Sequence, residues 1–281
     1  MTKHRFAIRL YPVACLTLAL GLIATIASAQ YKPRPLNDPA TGEKFHIELG
    51  GALWYPSADI AISSGGTGGV AGLTGTTINA KTDLGLTDQH FKDLQVVLKL
   101  SKRNKLRFEY IPIVYDQSAT PQRIIVFNGI QYRVNIPVNS TLDWKAYRFA
   151  YELDVVSRNW GFVGLILETK YTDVFVQLKS PLANEFAEAK APIPAIGGIV
   201  RYYVMPNISV TGELTGFKFP DTIVAGYGGH YVDFDIYGTV NFTNNVGAQV
   251  GYKSFDVGYI AKQDVGALTL KGLYFGGVLR Y

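Results

Sequence analysis

The chain has 281 residues, with 27 Lys and Arg against 22 Asp and Glu, one cysteine, 29 glycines and 18 tyrosines. Three of the basic residues, Lys3, Arg5 and Arg9, precede an apolar run from Val13 to Ile26 that closes on Ala27-Ser28-Ala29, the layout of a cleaved secretory signal peptide over residues 1–29. Without that segment the charges nearly balance at 24 against 22 and no cysteine remains, which excludes a disulfide framework, a Cys-ligated metal centre and a basic nucleic-acid-binding surface.

Residues 30–43 are Pro-rich and lack alternation, so they read as a short periplasmic lead. From residue 44 the pattern changes to period two, the mark of strands with two unlike faces. Ile47, Leu49, Leu53 and Tyr55 alternate with His46, Glu48 and Trp54. The segment from Ile62 to Gly75 is Gly-rich but lacks the Lys-Ser/Thr ending of a phosphate loop, so it reads as a flexible outer loop. Leu94, Val96 and Leu98 alternate with Gln95 and Lys99, and Leu106, Phe108 and Tyr110 with Arg107 and Glu109. Asn128-Gly129, between Ile124 and Ile136, signals a β-hairpin that either extends two neighbouring strands or adds two spanning ones.

The second half repeats the rhythm. Tyr147 to Val155 alternates with Arg148, Glu152 and Asp154; Val163, Leu165 and Leu167 with Glu168; Val210 and Leu214 with Thr211 and Glu213; Val232, Phe234 and Ile236 with Asp233 and Asp235. Four short connections, at 101–104, 157–160, 205–207 and 243–245, alternate with five long ones, at 56–90, 117–139, 180–192, 220–228 and 261–267. That count predicts a closed antiparallel up-and-down transmembrane barrel of ten strands over 44–281, with eight and twelve as alternatives and a soluble barrel or sandwich as the rival fold.

With the apolar face outward, a charged network fills the lumen: Glu48, Arg107, Glu109, Arg148, Glu152, Glu168, Arg201, Glu213, Asp235 and Lys253. Tight turns near Asn244 and Asn207 are expected to bring Asp235 opposite Lys253 and Arg201 opposite Glu213. Both signs occur, so salt bridges across a narrow bore are expected, since a water-filled channel needs about 16 strands. No metal-ligand spacing or cofactor motif is present. His230 precedes Asp233 and Asp235, but strand parity sets His230 and Asp233 on opposite faces.

The end of the chain, Gly272 to Tyr281, places Leu273, Phe275, Leu279 and Tyr281 on one face. It resembles the carboxy-terminal insertion signal of Gram-negative outer-membrane β-barrel proteins, with Tyr281 in place of the usual Phe, and the whole is similar in size to the OmpW-like and omptin groups. The resemblance implies a place in the cell outer membrane, contact with its lipid, and recognition of the last strand by the barrel insertion machinery. The expected role is structural or narrow-pore transport of a small solute, through the bore or sideways into lipid, without enzymatic activity. The alternatives are a hydrolase at the outer rim and a surface recognition protein using the loops at 56–90 and 117–139.

Overall fold

The computed structural model describes residues 39–63, 75–127, 129–261 and 264–281; the signal segment, most of the lead, Asn128 and most of the Gly-rich stretch lie outside the described residues. The elements are β1 (Ile47–Ser63), β2 (Ile78–Asn79), α1 (Ala80–Leu84), β3 (Phe91–Lys99), β4 (Asn104–Ala119), β5 (Ile125–Phe127), β6 (Ile130–Tyr132), β7 (Val138–Arg158), β8 (Gly161–Lys179), β9 (Asn184–Met205), β10 (Ile208–Val224), β11 (Tyr227–Asn241), β12 (Val246–Ala261) and β13 (Asp264–Arg280). Ten of these described strands, β1, β3, β4 and β7 to β13, form one antiparallel sheet that β13 closes onto β1 from Glu48↔Arg280 to Ser63↔Val265. Closure removes both free edges and explains why the chain ends in a strand: Tyr281 N–H donates to Ile47 O, and Ile47 N–H donates back.

The closing seam is tight. A Cβ on Gly272 would strike the Tyr55 carbonyl oxygen and the Pro56 Cα, and Trp54 Nε1 donates to the Gly272 carbonyl at 3.2 Å. Gly272→Val is therefore expected to cost the folded barrel about 1–3 kcal/mol through forced strand separation. A lowered temperature for loss of the heat-modifiable gel band, relative to the unsubstituted chain, is the check.

An outward apolar band surrounds the lower half of the barrel. Tyr147, Phe149, Tyr151, Leu153 and Val155 on β7, and Val163, Leu165 and Leu167 on β8, point outward, matching the 9–11 residues a tilted strand needs to cross the hydrocarbon. Ring contacts mark its upper edge: Tyr110 and Tyr147 stacked at 4.8 Å, Tyr147 and Tyr171 tilted at 6.3 Å, and Tyr55 and Phe275 edge-on at 6.4 Å. Trp160–Tyr202 at 6.1 Å, with exposed Phe242 and Tyr281, marks the end where the short turns lie, the periplasmic side. This band, with the fold, puts the chain in the cell outer membrane.

Above the upper ring the strands continue and their polarity reverses. On β7 the inward residues change from Arg148, Glu152 and Asp154 to Leu142, Trp144 and Ala146, while the outward ones become Asn139, Thr141, Asp143 and Lys145. The same happens on β8, where inward Glu168 and Lys170 give way to Val174, Val176 and Leu178. In water the apolar face must turn inward, so the outer extension, roughly 20–30 Å long on β7, is built like a soluble barrel. This reversal corrects three of the expected long loops: 180–192, 220–228 and 261–267 belong largely to strands, joined by tight turns at 180–183 and 225–226. Residues 262–263 lie outside the described residues.

The hairpin at 124–136 is also corrected. β5 and β6 form a separate two-stranded sheet, neither spanning nor continuous with β4 and β7, which pair with each other up to Ala119↔Val138. The hairpin packs Ile125 and Phe127 with Ile78, Leu84, Val138 and Leu178, and Tyr132 Oη donates to Leu178 O at 2.8 Å. Short β3 leaves a gap between β1 and β4, which residues 78–90 fill. There Asn79 caps α1 by accepting from Lys81 N and Thr82 N, Gly85 ends it in the left-handed region (φ 65°), and Asp88 accepts from Ala58 N at 3.0 Å.

Candidate functional site

The lower lumen is crossed by ion pairs between distant walls. Arg148 on β7 donates to Glu168 at 2.5 Å and Glu109 at 3.3 Å, and pairs with Glu213 on β10. Arg107 on β4 reaches Glu213 at 2.7 Å and Glu152 at 3.2 Å. Lys253 on β12 reaches Asp93 on β3 at 2.5 Å and Glu109 on β4, while Lys170 on β8 pairs with Asp233 on β11. Lys105 holds Glu152 at 2.5 Å and Asp154 at 3.0 Å. Most of these side chains are buried, with Arg107, Glu109 and Asp233 nearly so, and each charge depends on its partners more than on water.

An aromatic floor lies above this plug. Trp144 and Tyr231 each sit 5.0 Å from Phe255, and Lys170 Nζ lies 4.3 Å from the Tyr231 ring centroid, joining plug to floor. Between them, beside Arg148, Lys170, Tyr231 and Phe255, the lining leaves about 20 Å³, room for one water. Above the floor is a chamber of about 440 Å³ whose walls include Ile60, Leu142, Val174, Ile193, Phe219 and Leu268. That size and apolar lining suit one small molecule, as in the mouths of ligand-holding soluble barrels.

The chamber wall is split on one side. Among the described residues the β9–β10 ladder runs from Met205↔Ile208 to Ile196↔Gly216 and stops, although β9 stays paired with β8 to Asn184 and β10 with β11 to Phe219. Pro192 and Pro194 lie on β9 immediately above the last rung. Proline offers no N–H to a neighbouring strand, so this stretch of β9 suits an open edge. The chamber residues Ala189, Ala191 and Ile193 on β9, and Phe217 and Phe219 on β10, flank the opening. Its base lies beside Ile196 and Leu214, both exposed on the lipid-facing band.

At the periplasmic mouth residues 40–45 form a strap. Thr41 N–H donates to Pro206 O at 2.7 Å, Gly42 N–H (φ 89°) to Asn244 Oδ1 at 3.1 Å, and Glu43 pairs with Arg201 and Lys99, each at 3.1 Å. Burial alone raises the Glu43 carboxyl; the Arg201 guanidinium and Lys99 ammonium outweigh it and hold the group down at about 2. A depressed carboxylate stabilises the latch fully above its ordinary value near 4.5 and loses that contribution as pH falls toward 2. The Gly42 amide is thus expected to keep its NMR shift from pH 8 to 5 and to move only below that, as the strap loosens.

The network residues named from sequence fall as follows. Arg107, Glu109, Arg148, Glu152, Glu168, Glu213 and Lys253 meet in the plug. Asp235 does lie opposite Lys253, but its carboxylate accepts from Tyr274 Oη at 3.0 Å while the ammonium turns to Asp93 and Glu109. The expected pairing of Arg201 with Glu213 is overturned. A register shift at Ile208/Ser209 puts Arg201 opposite Thr211, whose hydroxyl accepts from it at 2.9 Å, and Glu213 opposite Ile199. Glu48 pairs with Arg280 near the periplasmic end. Asp93, Lys105, Arg280 and Glu43 were missed; Asp93 has the inward parity of Lys99, which was the available signal. Leu273, Phe275, Leu279 and Tyr281 are all exposed on the lipid-facing side. His230 faces outward, 3.7 Å from Asp256, whereas Asp233 faces the lumen on Lys170.

No protein-family model matches the sequence, and no curated protein does. Among solved structures the chain is similar to the outer membrane protease OmpT of Escherichia coli, at a TM-score of 0.50 and 6% identity, over 88% of this chain and 100% of that one. It is more distantly similar to the outer membrane protein AlkL (TM-score 0.36, 11% identity, 90% of this chain and 97% of that one). The Pseudomonas putida toluene transporter TodX stands at a TM-score of 0.35 and 7% identity, over 88% and 93%. The likeness to OmpT is one of fold: this chain is a ten-stranded barrel of the outer-membrane kind.

Proposed function

We propose that the barrel takes up a small solute with an apolar body from outside into the outer chamber and releases it sideways through the β9–β10 opening toward the lipid. The observation that carries this reading is the apolar chamber of about 440 Å³ above a lumen crossed by ion pairs. A solute that enters the chamber rests on the aromatic floor, whose packed rings leave room only for a water below them, and beyond it lie charges that an apolar molecule cannot satisfy. The opening beside Ile193 and Phe217 leads instead toward the band that faces hydrocarbon. Passage sideways needs no break in the plug, so the charged network acts as the closed base of the site and as the stabiliser of the membrane segment.

The test is a fluorescence titration of N-phenyl-1-naphthylamine into the purified barrel in phosphatidylcholine nanodiscs, with empty nanodiscs subtracted. Saturable binding to one site is the expected result. Fluorescence no greater than that of empty discs would remove the chamber as a binding site.

A further inference from the structure

The opening has a second, outer compartment. A groove of about 500 Å³ on the β10–β11 surface is lined by Gly216, Phe217, Lys218, His230 and Val232, and two of these, Phe217 and His230, also line the inner chamber. Apolar chamber and outer groove thus share two residues, Phe217 on β10, just past the point where β10 parts from β9, and His230, across the intact ladder on β11. The two compartments differ in chemistry. The chamber walls present aliphatic and aromatic groups, whereas the groove presents the Lys218 ammonium and the His230 imidazole, set opposite one another across the β10–β11 ladder. Lys218 is exposed and makes no ion pair with another described side chain; His230 faces Asp256 at 3.7 Å, and Asp256 also accepts from Thr269 Oγ1 at 3.2 Å.

We infer that the solute is an anionic amphiphile, whose apolar body occupies the chamber while its acid group sits in the groove at Lys218 beside His230. The inference rests on the uptake reading above. An acid group would be costly among Ile60, Leu142, Val174 and Leu268, which offer it no charge, whereas Lys218 follows the chamber residue Phe217 directly on β10 at this opening. A molecule held in this way has its head already at the lateral exit, at the level where the lipid-facing band of β10 and β11 ends at Leu214 and Val232.

The test compares two dyes that share one apolar body, 1-anilinonaphthalene-8-sulfonate and the uncharged N-phenyl-1-naphthylamine, in phosphatidylcholine nanodiscs at low salt. The sulfonate is expected to bind roughly fivefold more tightly, with the advantage shrinking as salt is added. Lys218→Gln is expected to bring the two dyes level. Equal affinities in the unsubstituted barrel, or a sulfonate preference that survives Lys218→Gln, would overturn the inference while leaving the chamber intact; the second result would mean that a group other than Lys218 holds the sulfonate. Failure of both dyes to bind would remove the uptake reading and this inference together, and retention of the heat-modifiable band shows that the variant has folded.

Discussion

Arg148→Met is expected to lower the stability of the folded barrel by about 3–5 kcal/mol, because it strands buried carboxylates that the guanidinium now serves. Arg148 alone touches Glu109, Glu168 and Glu213, which come from three different strands. Each carboxylate keeps one other cation, Lys253, Lys170 and Arg107 respectively, so the barrel loses strength without losing its topology. Urea unfolding in lipid vesicles should show a lower midpoint with an unchanged slope. Adding Glu213→Gln removes one of the carboxylates left with a cation fewer, and the double variant should recover part of the loss, a non-additivity expected only if the two groups interact directly. A loss no larger than that from an exposed pair, such as Lys190 with Glu188, would mean that the lumen is wet and the charges are screened.

Val174→Trp is expected to weaken binding of N-phenyl-1-naphthylamine more than tenfold, about 1.4 kcal/mol or more, with the barrel still folded. Val174 lies on the chamber wall above Thr172, in the part of β8 that projects beyond the ring at Tyr171. An indole there takes up space a ligand needs, while the membrane segment and its ion pairs stay untouched. The same substitution should cost the folded barrel no more than about 1–3 kcal/mol in urea unfolding, the usual cost of overpacking. Binding that persists at full strength would put the dye elsewhere on the molecule.

Much of the membrane segment was legible because one physical rule governs it throughout. In lipid the outward face must be apolar, so Val163, Leu165 and Leu167 could be assigned outward and Glu168 inward from parity alone. The ion-pair partners were less legible, since parity fixes a face but not a neighbour across the bore. Arg201 illustrates this: with the turn at Pro206–Asn207 and the register shift beside it, its rung falls on Thr211, two residues short of Glu213, and the strap residue Glu43, from outside the strands, became its partner. The outer chamber was missed for a different reason. Its strands obey the opposite rule, with Leu142 and Trp144 inward and Asp143 and Lys145 outward, so the alternation is intact but its phase has slipped by one residue past Tyr147. Read against a single outward apolar face, that slip looks like the end of a strand. The signal was present in Val174, Val176 and Leu178, an alternation as regular as any in the membrane band.

If the apolar chamber, and not the charged bore, holds the solute, anomalous X-ray scattering from bromine in crystals soaked with 1-bromonaphthalene should show where it sits. A peak is expected among Ile60, Leu142, Val174, Phe219 and Leu268, above the Trp144 and Phe255 rings. A peak beside Arg148 and Lys253, or an empty chamber with bromine only on the lipid-facing surface, would contradict it.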